Sequence, residues 1–251
     1  MEKYNVVILA GGRCPWLKDV AGTDARCLAK INGKRMLDYI VEAIRESGRG
    51  KRIILAASAG VMEGEELPEG VELCEAAEDL PATGRKAVAM LNHTGRTLFI
   101  CDDIPMLHGA AINDFLDKCE AMPEANTYYP LIPQAVCEAT FPQAKRTYVK
   151  IKEGAFTGGN LMLVDAALIA PGVARAKEIF AKRKKPFELV KMIGVGFILK
   201  FLFKRLTLAE VEKKCSAFMD VNGRAVITSF AEIGMDVDKP ADWEFAKKYL
   251  S

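Results

Sequence analysis

Three short clusters combine glycine, arginine and aspartate in arrangements that could hold phosphate or a divalent cation. The first, Leu9-Ala10-Gly11-Gly12-Arg13, ends an apolar run over residues 6–10. Glycines directly after a buried strand let the backbone turn tightly and aim N–H groups at phosphate oxygens, with Arg13 as a nearby cation. A plain tight turn is the competing reading, because neither G-x-G-x-x-G nor the G-K-S/T ending of a Walker loop is present. The second cluster, Cys101-Asp102-Asp103-Ile104-Pro105, sets two carboxylates at the end of another apolar run. Such a pair repels unless it is solvated or shares a cation. Mg²⁺ suits it, since this ion takes one or two carboxylates and completes its octahedron with substrate phosphate and water; an aspartate capping the next helix is the alternative. In the third cluster, a strand over residues 234–237 would present Asp236 and Asp238 on one face. Asp236 is the expected second metal ligand, while Asp238 and Asp242, with Pro240, mark a helix start.

These clusters need a scaffold that gathers strand ends. Residues 6–10, 52–57 and 97–101 read as fully buried strands, being continuous apolar runs rather than alternating ones. Between them Met36, Leu37, Ile40, Val41 and Ile44 recur at helical spacing before a Ser47-Gly48 stop, and 84–91 and 111–119 read as helices. The alternation implies a parallel sheet with helices on both faces, whose ligands bind beyond the carboxyl ends of the strands. Further on, 127–132, 148–151, 160–164 and 225–228 look like strands. Residues 174–215 read as mostly helical with breaks at Pro186 and Gly194–Gly196, and 241–249 as a closing helix. The expectation is a single domain over 1–251, three-layer α/β/α with a mixed, mostly parallel sheet and a helical insertion at 172–214.

Composition sets the class. The 251 residues, 50% apolar and 27% charged, exclude disordered and disulfide-stapled classes. A net charge of +2 marks no generic nucleic-acid binder. Seven cysteines without a C-x-x-C pair suit reduced thiols. The apolar run near Met1 is too short for a signal-peptide core and the run from 192 to 203 too short for a membrane span, so a cytoplasmic location is expected. With only His93 and His108, a histidine-centred mechanism has little material; both read as surface or helix-end residues.

Four motifs in order, L-A-G-G, D-I-P, T-G-G-N at 157–160 and D-V-D-K-P-A-D at the C-terminus, resemble the molybdenum-cofactor guanylyltransferase-like nucleotidyltransferases and their cytidylyltransferase and sugar-phosphate nucleotidyltransferase relatives. The resemblance covers 4–171 and 224–250 and implies a Rossmann-like sheet of the GT-A kind binding an NTP over the glycine loop. An acceptor phosphate then attacks the α-phosphorus across Mg²⁺ and diphosphate leaves. Position by position, the strand-end glycines fall on Gly11 and Gly12, and the metal aspartate on Asp103, with Asp102 where a small residue is usual. The family lysine falls on Arg26, which keeps the charge and adds a bidentate fork; Lys30 is its reserve. The nucleotide side so implied comprises Leu9, Ala10, Gly11, Gly12, Arg13 and Asp102, with Thr83 and Gly84 at a helix start that could meet base or ribose. The acceptor side comprises Gly158, Gly159 and Asn160. The sequence departs from the pattern at Cys14-Pro15-Trp16-Leu17, where a loop arginine is missing unless Arg13 substitutes. A GT-A-like glycosyltransferase and a non-catalytic nucleotide-binding protein are the alternatives.

The insertion is basic: 172–214 holds twelve Lys or Arg against four Glu, a local +8. It joins Lys182-Arg183-Lys184-Lys185 to apolar Phe197-Ile198-Leu199 and Phe201-Leu202-Phe203. Three readings fit: an apolar stripe packed on the sheet or on a second subunit in a homodimer, a lid over a negatively charged acceptor, or a face resting on anionic lipid, where each basic side chain contributes about 1 kcal/mol.

Overall fold

The computed structural model describes residues 1–58, 60–172, 175 and 194–251. Strand β1 (Tyr4–Ala10) is buried on both faces, as its unbroken apolar run requires. A short helix α1 (Leu17–Ala21), a 3-10 turn at Arg26–Leu28 and a small hairpin, β2 (Lys30–Ile31) with β3 (Lys34–Arg35), lead into α2 (Met36–Ser47). Helix α2 buries Met36, Leu37, Ile40, Val41 and Ile44, the positions its sequence spacing places on one face, and stops at Gly48 in the left-handed conformation. Strand β4 (Gly50–Ala57), edge strand β5 (Val71–Glu75), α3 (Leu80–Met90), β6 (Arg96–Cys101) and α4 (Gly109–Glu120) complete the first half.

The second half runs β7 (Thr127–Pro133), α5 (Gln134–Thr140), β8 (Val149–Ile151), β9 (Gly154–Gly158), β10 (Leu161–Asp165), α6 (Val195–Leu202), α7 (Leu208–Met219), β11 (Gly223–Ile227) and α8 (Pro240–Tyr249). Among the described residues nine strands form one sheet in the order β5-β4-β1-β6-β10-β7-β9-β8, with β11 also on β7. The first four of these are mutually parallel, whereas β10 is antiparallel to both β6 and β7. The expected mixed α/β architecture is therefore present. Helices α2 and α4 pack on one face with Ile8, Leu98 and Ile100; α3 packs on the other with Val7, Ile54 and Phe99. Each fully buried Ile or Leu among these contributes about 1.5–3 kcal/mol.

Two expectations change. Residues 234–237 are not a strand: a 3-10 turn over Ala231–Gly234 is followed by extended chain. The segment crosses strand ends instead of running along an edge. It accepts from Asn160 N–H at Ile233 C=O and donates from Val237 N–H to Asp103 C=O, so no ladder can form. Helix α3 starts at Leu80, not at 84, because Asp79 caps it by accepting from Ala82 N–H at 2.7 Å. Of the helical stretch expected at 174–215, the described part holds α6 and α7; Lys182-Arg183-Lys184-Lys185 lies outside the described residues.

Candidate functional site

In this sheet the strand order reverses direction at β1: the chain adds β4 and β5 on one side, then returns to place β6 on the other. The crevice beyond the carboxyl ends of β1 and β6 is thus the topological switch point, where ligands bind in open α/β sheets. The Gly11-Gly12 turn leaves β1 there and Asp102-Asp103 leaves β6 there.

Arg26 joins the two. Its Nη1 donates to Asp103 Oδ2 at 2.7 Å and to Asp238 Oδ1 at 2.9 Å, with Nε 3.9 Å from Asp102 Oδ1. Gly12 lies against this guanidinium, since a Cβ built there would stand 2.8 Å from Arg26 Cζ. Asp236 lies beside Asp103 and pairs with Arg146. The structure therefore gathers Gly12, Arg26, Asp103, Asp236 and Asp238, four sequence segments, around one opening.

The electrostatics separate the carboxylates. Burial, and then the charge of Asp103, pushes Asp102 up to about 8, so at neutral pH it is mostly protonated beneath Arg26 and Cys27. That proton relieves the repulsion expected of adjacent aspartates. Burial also raises Asp103, against the opposing pull of Arg26. Burial opposes ionisation of Asp236, yet hydrogen bonding from Asp238 and the Arg146 pair hold it below the usual carboxylate range. The same contact with Asp236, then burial, pushes Asp238 up to about 6. Cys101 is driven by burial to about 12, so it offers no thiolate at this site. Asp103 Oδ1 and Asp102 Oδ2 are buried with no hydrogen-bond partner. Among the described residues no three His, Cys, Asp or Glu side chains form a ready metal cage.

Other expected site residues fall differently. Arg13 points to Asp24 at 2.7 Å on the outside of the loop, half exposed, and closes that loop through a bridge to Ala25. Thr83 is inside the first turn of α3: its hydroxyl donates to Asp79 C=O and accepts from Ala77 N–H, so it has no hydrogen left to donate to a base. A Cβ at Gly84 would stand an ordinary 3.5 Å from Phe99 Cε1. Gly158 and Gly159 are filled by the protein itself, for a Cβ would stand 3.0 Å from Tyr129 Cζ or 2.9 Å from Pro130 Cγ. Asn160 is tied through its backbone to Ile233 and Cys101. Lys30 is exposed on the small hairpin. His108 precedes α4 as its cap residue and His93 is exposed after α3, as expected of helix-end and surface histidines.

Sequence reasoning missed Arg146 and the role of Trp16. Arg146 comes from the irregular stretch after α5, and its partner is ninety residues away, so no local pattern marks it. Trp16 Nε1 donates to Asp238 C=O at 3.0 Å and its ring meets Trp243 edge-on at 6.3 Å. The altered loop Cys14–Leu17 thus clasps the C-terminal segment.

A parallel half-sheet with paired aspartates at its switch point, extended by antiparallel strands, gives this chain a mixed α/β fold. The fold matches a 2-C-methyl-D-erythritol 4-phosphate cytidylyltransferase from Thermus thermophilus, at 14% identity over 98% of each chain with a TM-score of 0.56. It also matches CMP:2-keto-3-deoxy-manno-octonic acid synthetase complexed with CTP, at 13% identity over 99% of this chain and 98% of that one, TM-score 0.60. A hypothetical transferase, also from Thermus thermophilus, is 33% identical over 96% of this chain and 99% of its own, with a TM-score of 0.81. The chain belongs to the same family as that hypothetical transferase. No protein-family profile and no curated protein sequence matches the chain.

Proposed function

We propose that the chain is a Mg²⁺-dependent nucleotidyltransferase that moves NMP from an NTP to a phosphorylated small-molecule acceptor and releases diphosphate. The observation that carries this reading is Arg26 Nη1 bridging Asp103 and Asp238 beside Gly12 at the switch point. A cation already sits between two carboxylates where the fold binds ligands.

The donor set fits Mg²⁺. Asp103 offers an unpartnered buried oxygen and Asp236 is ionised beside it, and these two would hold the ion, with phosphate and water completing its shell. When bound, Mg²⁺ neutralises phosphate charge and aligns donor and acceptor oxygens. The protein's own part is positioning. Arg26, tied to Asp103 and Asp238 and released from them when phosphate arrives, neutralises charge on the α-phosphate or the departing diphosphate. The Gly11-Gly12 backbone approaches the triphosphate, and Arg146 keeps Asp236 ionised. Seven free cysteines support a cytoplasmic location.

The test begins with thermal stability against the four NTPs with and without Mg²⁺, which finds the base before the acceptor is known. Diphosphate release is then measured with phosphorylated acceptors. Asp103→Ala is expected to lower the rate by roughly 10²–10³-fold while the protein still folds. Unchanged release in Asp103→Ala overturns the reading, as does turnover of nucleotide sugars with no turnover of NTPs.

A further inference from the structure

Helix α6 has the sequence VGFILKFL and no residue of it is buried. Val195, Leu199 and Leu202 fall at i, i+4 and i+7, one stripe of the helix, and are 60%, 48% and 65% exposed; Phe203, just beyond, is 71% exposed. These four side chains do not pack on the sheet; the reading in which the stripe meets a second subunit is left untouched by their exposure. Monomeric proteins rarely present so compact an apolar stripe to water without a partner.

The surrounding charge selects the partner. Lys200 on the helix is paired with Glu210 of α7, while exposed Lys204 and Arg205 follow its end. Exposed Lys213 stands on α7. In a symmetric contact between two copies the same patch meets itself, which crowds Lys204 and Arg205 of both copies into one interface. An anionic lipid surface satisfies both features at once, taking apolar side chains into the acyl boundary and cations at the headgroups. At eight residues α6 is about 12 Å long, too short to span a bilayer. Among the described residues no helix is long and apolar enough to cross one.

We propose that α6 is a docking element for an anionic bilayer surface, with Val195, Leu199, Leu202 and Phe203 entering the interface and Lys204 and Arg205 facing the headgroups. The proposal stands apart from nucleotidyl transfer, and its test reads no activity. The full chain is floated with vesicles of phosphatidylcholine alone or mixed with phosphatidylglycerol, at low and high salt. Partition into the anionic vesicles is expected to be at least about tenfold stronger than into neutral ones, and to fall as salt rises. Leu202→Asp with Phe203→Asp is expected to abolish partition, and Lys204→Glu with Arg205→Glu to abolish the preference for anionic lipid. All four side chains are exposed, so the thermal unfolding of both variants should match that of the parent. Absent partition, or equal partition into both vesicle types, overturns the proposal. A concentration-dependent dimer dispersed by Leu202→Asp, with no vesicle binding, makes a second copy the occupant and overturns it equally.

Discussion

Gly12 does not occupy the left-handed region of backbone space, so its turn alone would accept a side chain; the obstacle is Arg26. A Cβ at position 12 displaces the guanidinium and leaves Asp103 and Asp238 without its hydrogen bonds, whereas a Cβ at position 11 meets only Ser58 Oγ at 3.6 Å. Gly12→Ala should therefore destabilise the fold by about 1–3 kcal/mol. Gly11→Ala should stay within about 0.5 kcal/mol. Urea denaturation of the two variants checks this, and equal losses would mean that Arg26 is not held against Gly12. Strand-end logic was enough to bring Gly12 and Asp103 together, whereas Arg26 came from the family resemblance and Asp236 arrives on a segment that crosses strand ends rather than on the expected strand. Neither was enough to tell that Asp102 turns inward and keeps a proton, or that Thr83 is occupied by Ala77 and Asp79. Those outcomes depend on burial and on backbone donors that only the assembled chain supplies.

Elements were legible where their periodicity was strong. The seven-residue β1 and the twelve-residue α2 carry continuous or helical apolar patterns and lie where those patterns place them. Strand β5, VELCE, buries only Val71 and Cys74 at the sheet edge and carries two glutamates, a composition that reads as loop. Conversely, 234–237 has strand-like residues but lies across strand ends. Helix α7 shows how a cap declares itself: Thr207 accepts from Glu210 N–H, and the Glu210 carboxylate returns to Thr207 N–H at 3.0 Å. The ion pair with Lys200 first, then that backbone bond, lowers Glu210 from 4.5 to about 2. A carboxyl group depressed in the folded state contributes stability above its unfolded value and loses it as pH falls through its folded value. Glu210→Gln keeps the cap geometry but has no charge to lose. The stability difference between parent and variant should be constant above about pH 5 and vanish as pH falls from about 4.5 to about 2. A difference unchanged at pH 2, by urea midpoints, would rule out the charge as its source.

At the scale of the whole molecule the site is a junction between distant parts of the chain. The loop after β1 supplies Gly12, Trp16 and Arg26, the end of β6 supplies Asp103, and the last twenty residues supply Asp236, Asp238 and Trp243. Besides the Arg26–Asp238 and Arg146–Asp236 pairs, three hydrogen bonds to backbone carbonyls fasten the start of the C-terminal segment: Asn160 N–H to Ile233 C=O, Val237 N–H to Asp103 C=O, and Trp16 Nε1 to Asp238 C=O. Trp243 and Ala246 of α8 are buried beneath them, and the rings of Phe245 and Phe141 meet edge-on at 5.2 Å. The chain's two tryptophans both stand at this junction, so their fluorescence reports whether the C-terminal segment is docked. Since the segment is bonded to the ends of β6 and β10, central strands of the sheet, it should not leave while the sheet persists. Urea unfolding followed by tryptophan fluorescence and by far-ultraviolet circular dichroism should therefore give one coincident transition. Trp16→Phe removes the indole hydrogen bond but keeps an aromatic ring, and should lower the common midpoint by the equivalent of about 0.5–1.5 kcal/mol without separating the two signals. A fluorescence change that precedes the loss of circular dichroism in the parent protein would mean that the C-terminal segment undocks on its own. Asp236 and Asp238 would then reach Asp103 only in a fraction of folded molecules.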